Sequence, residues 1–262
     1  MTDDITVVSP EVRLDVRHDP SADAGPEVTF RSDVTVELVR AGARDSDVVF
    51  AARVSTQGEQ TLAHVDDDAE RSQGLINYLM RDRHGSPFEH NSMTFYVQAP
   101  IFVFREFMRH RIASYNEESG RYRELRPVFY VPGRDRKLVQ VGKPGAYDFV
   151  DGTPEQFALV EAETRAACTQ AYAAYQRMLA AGVAREVARI VLPLTIYSSM
   201  YVTMNARALM NFLSLRTKRE HAANPSFPQR EIEMCAEQME QFWRELMPLT
   251  HAAFEANGRV AP

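Results

Sequence analysis

The spacing of apolar positions changes several times along the chain, and each change marks an element. Val34-Thr35-Val36-Glu37-Leu38 and Met93-Thr94-Phe95-Tyr96-Val97 alternate, the period-two signature of strands with one buried face. Thr195–Thr203, rich in β-branched and aromatic residues (Ile196, Tyr197, Tyr201, Val202), predicts a third strand. Elsewhere a period near 3.6 predicts helices over Asp45–Arg53 and Ala69–Arg81, the second striped by Leu75, Ile76, Leu79 and Met80. Pro100 predicts a helix through Phe104 toward Arg111, because proline fits a helix's first turn. The clearest helix opens at Thr153-Pro154-Glu155-Gln156, where threonine caps and Gln156 completes a capping box. Its core face (Phe157, Val160, Ala167, Ala171, Tyr175, Met178, Leu179) runs to Gly182, a C-terminal stop. Val183–Leu192 predicts a short helix ended by Pro193. Amphipathic helices follow over Ala206–Lys218 and Pro228–Met247, the latter striped by Ile232, Cys235, Met239, Phe242 and Leu246.

Few strands among many helices, with no repeat and no βα period, predict an α+β fold: a central antiparallel sheet flanked by helices. The first 30 residues carry closely spaced breakers (Ser9-Pro10, Asp19-Pro20-Ser21, Gly25-Pro26) and read as a solvated tail with a short strand at Val12–Val16. The expected organisation is an acidic extension over residues 1–32 and a single domain over 33–262.

Charge then divides the chain. Of the formal −6 carried by 262 residues, −5 falls in the first 30, where seven acids face only Arg13 and Arg17. The remainder is close to neutral, and Arg105–Arg126 reverses the sign with six Arg against four Glu. This balance argues against a broad nucleic-acid surface. The two cysteines, Cys168 and Cys235, cannot form a disulfide framework or a zinc cluster unaided. No apolar run reaches 18 residues, and MTDDITVV lacks the basic start of a signal peptide, so a soluble cytoplasmic protein is expected.

Candidate chemistry concentrates in Arg109-His110-Arg111-Ile112-Ala113-Ser114-Tyr115-Asn116-Glu117-Glu118-Ser119-Gly120-Arg121-Tyr122. Its second half has no helical apolar spacing and reads as a loop. Guanidinium forks suit phosphate oxygens, and Gly120 admits a close backbone approach, so an anionic-ligand site fits. A solvated loop bridged by Arg–Glu pairs fits as well. Ser119 as a nucleophile would need His110 as base, yet no GxSxG elbow surrounds it, which favours hydrogen bonding to a ligand. His84, His90, His110 and Glu89 match no strong zinc spacing, and no metal is expected.

Arg109-His110-Arg111 with Ser119 after seven intervening residues resembles the signature of the flavin-dependent thymidylate synthases, the ThyX family. Further blocks look alike in the same order: Ala51–Ser55, His84–His90, Ala99–Phe102, Glu186–Pro193 and Asn205–Arg216. The resemblance covers roughly residues 34–250. It implies a ThyX-like homotetramer with sites shared between subunits, holding FAD and dUMP in one pocket. Methylenetetrahydrofolate would donate the carbon, and NADPH would reduce the flavin. By position, the resemblance assigns Ser55, Ser86, Arg109, His110, Arg111, Glu117, Asn205, Arg207, Asn211 and His221 to FAD. It assigns Glu106, Phe107, Met108, Arg109, Glu117, Glu118, Ser119, Gly120, Arg121, Arg189 and Arg216 to dUMP, and makes Arg216 catalytic at the uracil.

The chemistry accounts for these residue types. Methylating C5 of uracil requires electron density on that carbon, which cysteine-dependent synthases obtain by thiolate attack at C6. Here Cys168 lies among alanines and Cys235 in an apolar stripe, so both read as core. A fixed Arg216 can instead stabilise negative charge on the ring, worth roughly a few kcal/mol in a water-poor site. A binding protein that kept the pocket without chemistry and a cysteine-dependent methyltransferase are the competing readings. Helix phase bears on assembly: nine residues separate Arg207 from Arg216, about half a turn out of phase. Opposite faces are expected for them, which favours a pocket between subunits.

Overall fold

The computed structural model describes residues 27–62, 69–143 and 146–262, so most of the acidic extension and the strand expected at Val12–Val16 lie outside the described residues. In chain order the elements are β1 (Thr29–Arg31), β2 (Thr35–Gly42), α1 (Asp45–Gln57), α2 (Ala69–Arg81), β3 (Ser92–Pro100), α3 (Ile101–Phe107) and β4 (Ser114–Glu117). Then come β5 (Val128–Tyr130), β6 (Val139–Lys143), β7 (Ala146–Val150), α4 (Pro154–Ala180), α5 (Arg185–Ala188), β8 (Tyr197–Met204), α6 (Ala206–Arg216), α7 (Arg230–Leu246) and α8 (Pro248–Ala256).

The expected antiparallel sheet is present, in the order β2-β3-β8-β4. Alternation decides its faces. Met93, Phe95 and Val97 of β3 and Met200, Val202 and Met204 of β8 point inward, packing with Leu209, Phe212 and Leu213 of α6 and Ile232, Cys235, Met239 and Trp243 of α7. The other face is half-exposed and polar, with the Thr94 and Thr203 hydroxyls 2.8 Å apart and Tyr96 edge-on to Tyr201. A second, smaller core joins Cys168, Tyr172 and Tyr175 of α4 to Phe129 of β5 and Ile196.

Local signals were followed closely where they were strong. Thr153 accepts from the Gln156 N–H and the Gln156 side chain returns to the Thr153 N–H, as the capping box requires. Gly182 takes φ +81°, and the Val183 N–H reaches back to the Met178 carbonyl at 2.9 Å, closing α4 with a left-handed cap.

Three expectations need correction. The helix drawn toward Arg111 ends at Phe107, with Pro100 closing β3 rather than entering α3. The stretch read as a loop contains β4, which pairs with the free edge of β8 from Ser114↔Thr203 to Glu117↔Met200. Its polar alternation fits an edge strand, whose backbone bonds come from the neighbour rather than from burial. Val183–Leu192 is only one short turn, α5, and a 3₁₀ turn at Arg189–Val191. The sequence pattern also passed over the parallel β1–β5 pair, the β6–β7 hairpin and α8. The start of α8 is capped from far away in sequence: the Asp45 carboxylate accepts from the Leu249 and Thr250 N–H groups and the Thr250 hydroxyl.

Candidate active site

The end of α3 is built by a residue that follows it. The Tyr115 hydroxyl lies 2.8 Å from both the Phe107 and His110 carbonyls, groups that a helix terminus leaves without partners. This turns the chain outward after Phe107 and fixes His110, whose ring stands edge-on to Phe212 at 4.8 Å between centroids. Phe212 in turn stacks on Phe107 at 5.0 Å. Through this aromatic contact α6 is set against α3, which brings Arg216, its last residue, to the α3 terminus.

Arg216 is held there at several points. Its Nε donates to His110 Nε2 at 2.9 Å, one terminal nitrogen meets the Glu106 carboxylate at 2.7 Å, and the other lies 3.5 Å from the Glu106 carbonyl. Since Nε2 of His110 accepts, its ring is neutral with the proton on Nδ1. Burial, with the nearby Arg216 charge, pushes the His110 pKa down to about 4.

Beside this contact lies a cavity of about 470 Å³ lined by Arg109, His110, Arg111 and Ile112 after α3, by Asn205 at the start of α6, and by Arg207, Ala208, Asn211, Leu215 and Arg216 within it. Glu89, Ala261 and Pro262 complete it, so the lining carries four arginines. Arg207 rests on the backbone of Gly85, where an added Cβ would stand 2.5 Å from the guanidinium carbon. It donates to the Pro262 carbonyl at 2.6 Å and pairs with Glu89 at 2.5 Å. Asn205 caps α6 by accepting from the Ala208 N–H at 2.9 Å. Seven of the expected positions thus converge: Arg109, His110, Arg111, Asn205, Arg207, Asn211 and Arg216. The expectation that Arg207 and Arg216 face apart is corrected, because both side chains border one cavity of one chain. Arg216 ends its helix and bends its long side chain back onto α3, so backbone phase does not decide where the guanidinium lies.

A second cluster lies beyond the other end of β4. Glu117 is half-buried, and burial raises its carboxyl pKa despite the opposing Ser198 hydroxyl and the nearby Arg189. The Ser198 hydroxyl is buried beside the Glu117 carboxylate. Glu118 accepts from the Ser199 hydroxyl at 2.9 Å and pairs with Arg123 at 3.0 Å. The Ser119 hydroxyl accepts from the Arg121 N–H at 3.3 Å. With His110 turned to Arg216, Ser119 has no imidazole partner. Gly120 is buried with 3.1 Å between a would-be Cβ and Leu125, and 3.3 Å to the Arg189 side chain. Arg121 pairs with Glu186 at 2.6 Å.

Other expected positions stand apart from the cavity. Ser55 bonds its own helix at the Ala52 carbonyl, and His221 bonds the Glu255 side chain. Ser86 follows Gly85 and opens the 3₁₀ turn Ser86–Glu89. Phe107 is fully buried, whereas Met108 is exposed. Sequence reasoning weighed Glu89 only as a metal ligand, which it rejected, and did not single out Gly85 or Tyr115 individually, although Gly85 lies inside the His84–His90 block. Nothing in sequence pointed to Ala261 and Pro262.

A family model described as thymidylate synthase complementing protein matches residues 37–249. The chain belongs to this family, the flavin-dependent thymidylate synthases. It is 71% identical over 238 residues to the flavin-dependent thymidylate synthase of Streptomyces coelicolor, spanning 90% of this chain and 97% of that one. The protein of the same name from Thermotoga neapolitana is 44% identical over 219 residues, 84% of this chain and 89% of that one. Among solved structures, the UMP/dUMP methylase PolB from Streptomyces cacaoi bound with 5-Br dUMP is 57% identical. It superposes with a TM-score of 0.86 over 90% of this chain and 100% of that one. The same enzyme with 5-Br UMP gives 0.83 at 56% identity. In this chain the cation-rich cavity lies between the end of α3 and α6.

Proposed function

We propose that this flavin-dependent thymidylate synthase methylates dUMP to dTMP, with 5,10-methylenetetrahydrofolate as carbon donor and NADPH as reductant. One observation carries the reading: a guanidinium, Arg216, is fixed at a cation-rich cavity while neither thiol lines it. Cys168 hydrogen-bonds the Thr195 hydroxyl within the smaller core, and Cys235 is fully buried with its thiol pKa raised by burial. Electron density at uracil C5 then comes from charge stabilisation rather than from thiolate attack.

The donor set fits a flavin dinucleotide. Guanidinium and amide groups of Arg109, Arg111, Arg207, Asn205 and Asn211 suit its pyrophosphate and polar edges, with the Gly85 backbone as a floor under Arg207. When bound, FAD supplies the reducing equivalents that the transferred one-carbon unit needs to become a methyl group. The Ser119–Arg121 turn and Arg189 would hold the nucleotide. Its phosphate would replace Glu186 as the partner of Arg121, and the half-buried Glu117 and Ser198 would meet its polar groups. Arg216 would face the uracil and favour loss of its N3 proton.

The two clusters also support a homotetramer with shared sites. β4 separates them by four residues, about 13 Å of extended chain. Large apolar residues stand exposed beside each: Ile112 and Leu215 at the cavity, Tyr122 and Ile190 near the turn. A second copy would cover these and bring its own turn to the cavity. No described helix is long and apolar enough to cross a membrane, and a cytoplasmic setting is the companion proposal.

The test is tritium release from [5-³H]dUMP. Release that depends on FAD, NADPH and the folate is expected, and absence of both release and a flavin absorption band would defeat the reading. Parallel assays with UMP probe the sugar, with dUMP expected to be preferred. Mixing Arg216→Ala and Arg121→Ala proteins at dUMP well below KM tests sharing, since activity above the sum of the two separate proteins is expected only if one site draws on two chains.

A further inference from the structure

Arg216 owes its position almost entirely to the end of α3. A guanidinium has five N–H donors. Nε is committed to His110 Nε2 at 2.9 Å, and one terminal nitrogen to the Glu106 carboxylate at 2.7 Å. The long contact to the Glu106 carbonyl takes a third, which leaves two N–H groups for a ligand. Glu106 and His110 lie four residues apart across the α3 terminus. His110 is anchored at two points, its carbonyl by Tyr115 and its ring by Phe212. Arg216 is 18% exposed, so its held geometry is sheltered from the water that would otherwise compete.

We infer that Glu106 and the neutral His110 are positioning residues that fix the Arg216 guanidinium before substrate arrives. Glu106 acts through Arg216 rather than by touching the nucleotide, and His110 uses its Nε2 for the same purpose rather than for the flavin. This rests on the reading of Arg216 as the group that faces the uracil. The arrangement follows from the directionality of the two contacts. A single carboxylate would attract the guanidinium but let it pivot, whereas an acceptor on Nε and another on a terminal nitrogen define the plane of the fork.

The test uses FAD-loaded full-length protein with Glu106→Ala, Glu106→Gln, His110→Phe and Arg216→Ala. Misplacing a catalytic group by about 1 Å costs on the order of 10²-fold in rate, so Glu106→Ala and His110→Phe are expected to lower kcat by roughly 10- to 100-fold. KM for dUMP and the flavin absorption band should stay near wild type. Glu106→Gln keeps an acceptor oxygen and should restore most of kcat. His110→Phe keeps the ring against Phe212, so it carries the test even if Glu106→Ala does not fold. A crystal structure of either variant should show Arg216 displaced. A raised KM with unchanged kcat in Glu106→Ala would make Glu106 a substrate contact and overturn the inference. So would wild-type kcat in both Glu106→Ala and His110→Phe. If Arg216→Ala itself turned over normally, the failure would lie in the reading of Arg216, not in the clamp.

Discussion

Arg216 and Arg121 are the same residue in opposite situations. Arg216 is 18% exposed and tied down by two partners at the end of α3, Glu106 within it and the neutral His110 imidazole just after it. Arg121 is 50% exposed and paired with Glu186, itself 58% exposed. An exposed ion pair is worth about 0–1 kcal/mol, so the Arg121–Glu186 contact opens readily for a competing anion. The Arg216 contacts are sheltered, and breaking them leaves groups without partners. A substrate that must be captured meets the loose arginine, and chemistry that needs a fixed charge is given the tight one.

Breaking the tight side should have the largest effect. Arg216→Ala is expected to lower kcat by about 10²–10³-fold while FAD stays bound, read by stopped turnover and the flavin spectrum. Arg216→Lys should restore little, since an ammonium cannot span the His110 and Glu106 acceptors as a planar fork does. On the loose side the effect should move to KM. Ser119→Ala and Arg121→Ala are each expected to raise KM for dUMP by about tenfold, as for one lost hydrogen bond to a charged group. A Ser119→Ala protein that binds dUMP and FAD normally yet shows no turnover would instead make Ser119 a nucleophile.

Acid sharpens the contrast further. His110 binds a proton only near pH 4 in the folded chain, against about 6.5 when unfolded. Between those values the unfolded chain holds more protons, so stability falls as pH falls through this window. Protonation near pH 4 also removes the acceptor for Arg216. Thermal unfolding followed from pH 7 to pH 4 should show that slope, and His110→Phe should flatten it. The smallest effect belongs to Glu186→Ala, expected to change stability by less than about 1 kcal/mol in a chemical-denaturation curve.

The legible part of the molecule was the part set by local rules. α2 matched its apolar stripe from Ala69 to Arg81, and the capping box placed the start of α4 at Pro154. Alternation found β2 and β3, and β-branched and aromatic composition found β8, three of the four strands of the central sheet. What stayed hidden depended on contacts outside the local period of a strand or helix. β4 is a strand because β8 offers an edge, and α3 stops because Tyr115 folds back onto its carbonyls. Within the site, sequence blocks named the residues of the cavity but not their partners. His110 and Arg216 meet across 106 positions, and Arg207 meets Pro262 across 55. Neither distance leaves any trace in periodicity.

The central claim is that an arginine, not a thiolate, activates the pyrimidine. Tritium release from [5-³H]dUMP, measured side by side for wild type, a Cys168→Ser/Cys235→Ala double variant and Arg216→Ala, tests it most directly. The account predicts release from the cysteine-free protein and almost none from Arg216→Ala. A folded, FAD-bound cysteine-free protein without release, or an Arg216→Ala protein with undiminished release, would contradict it.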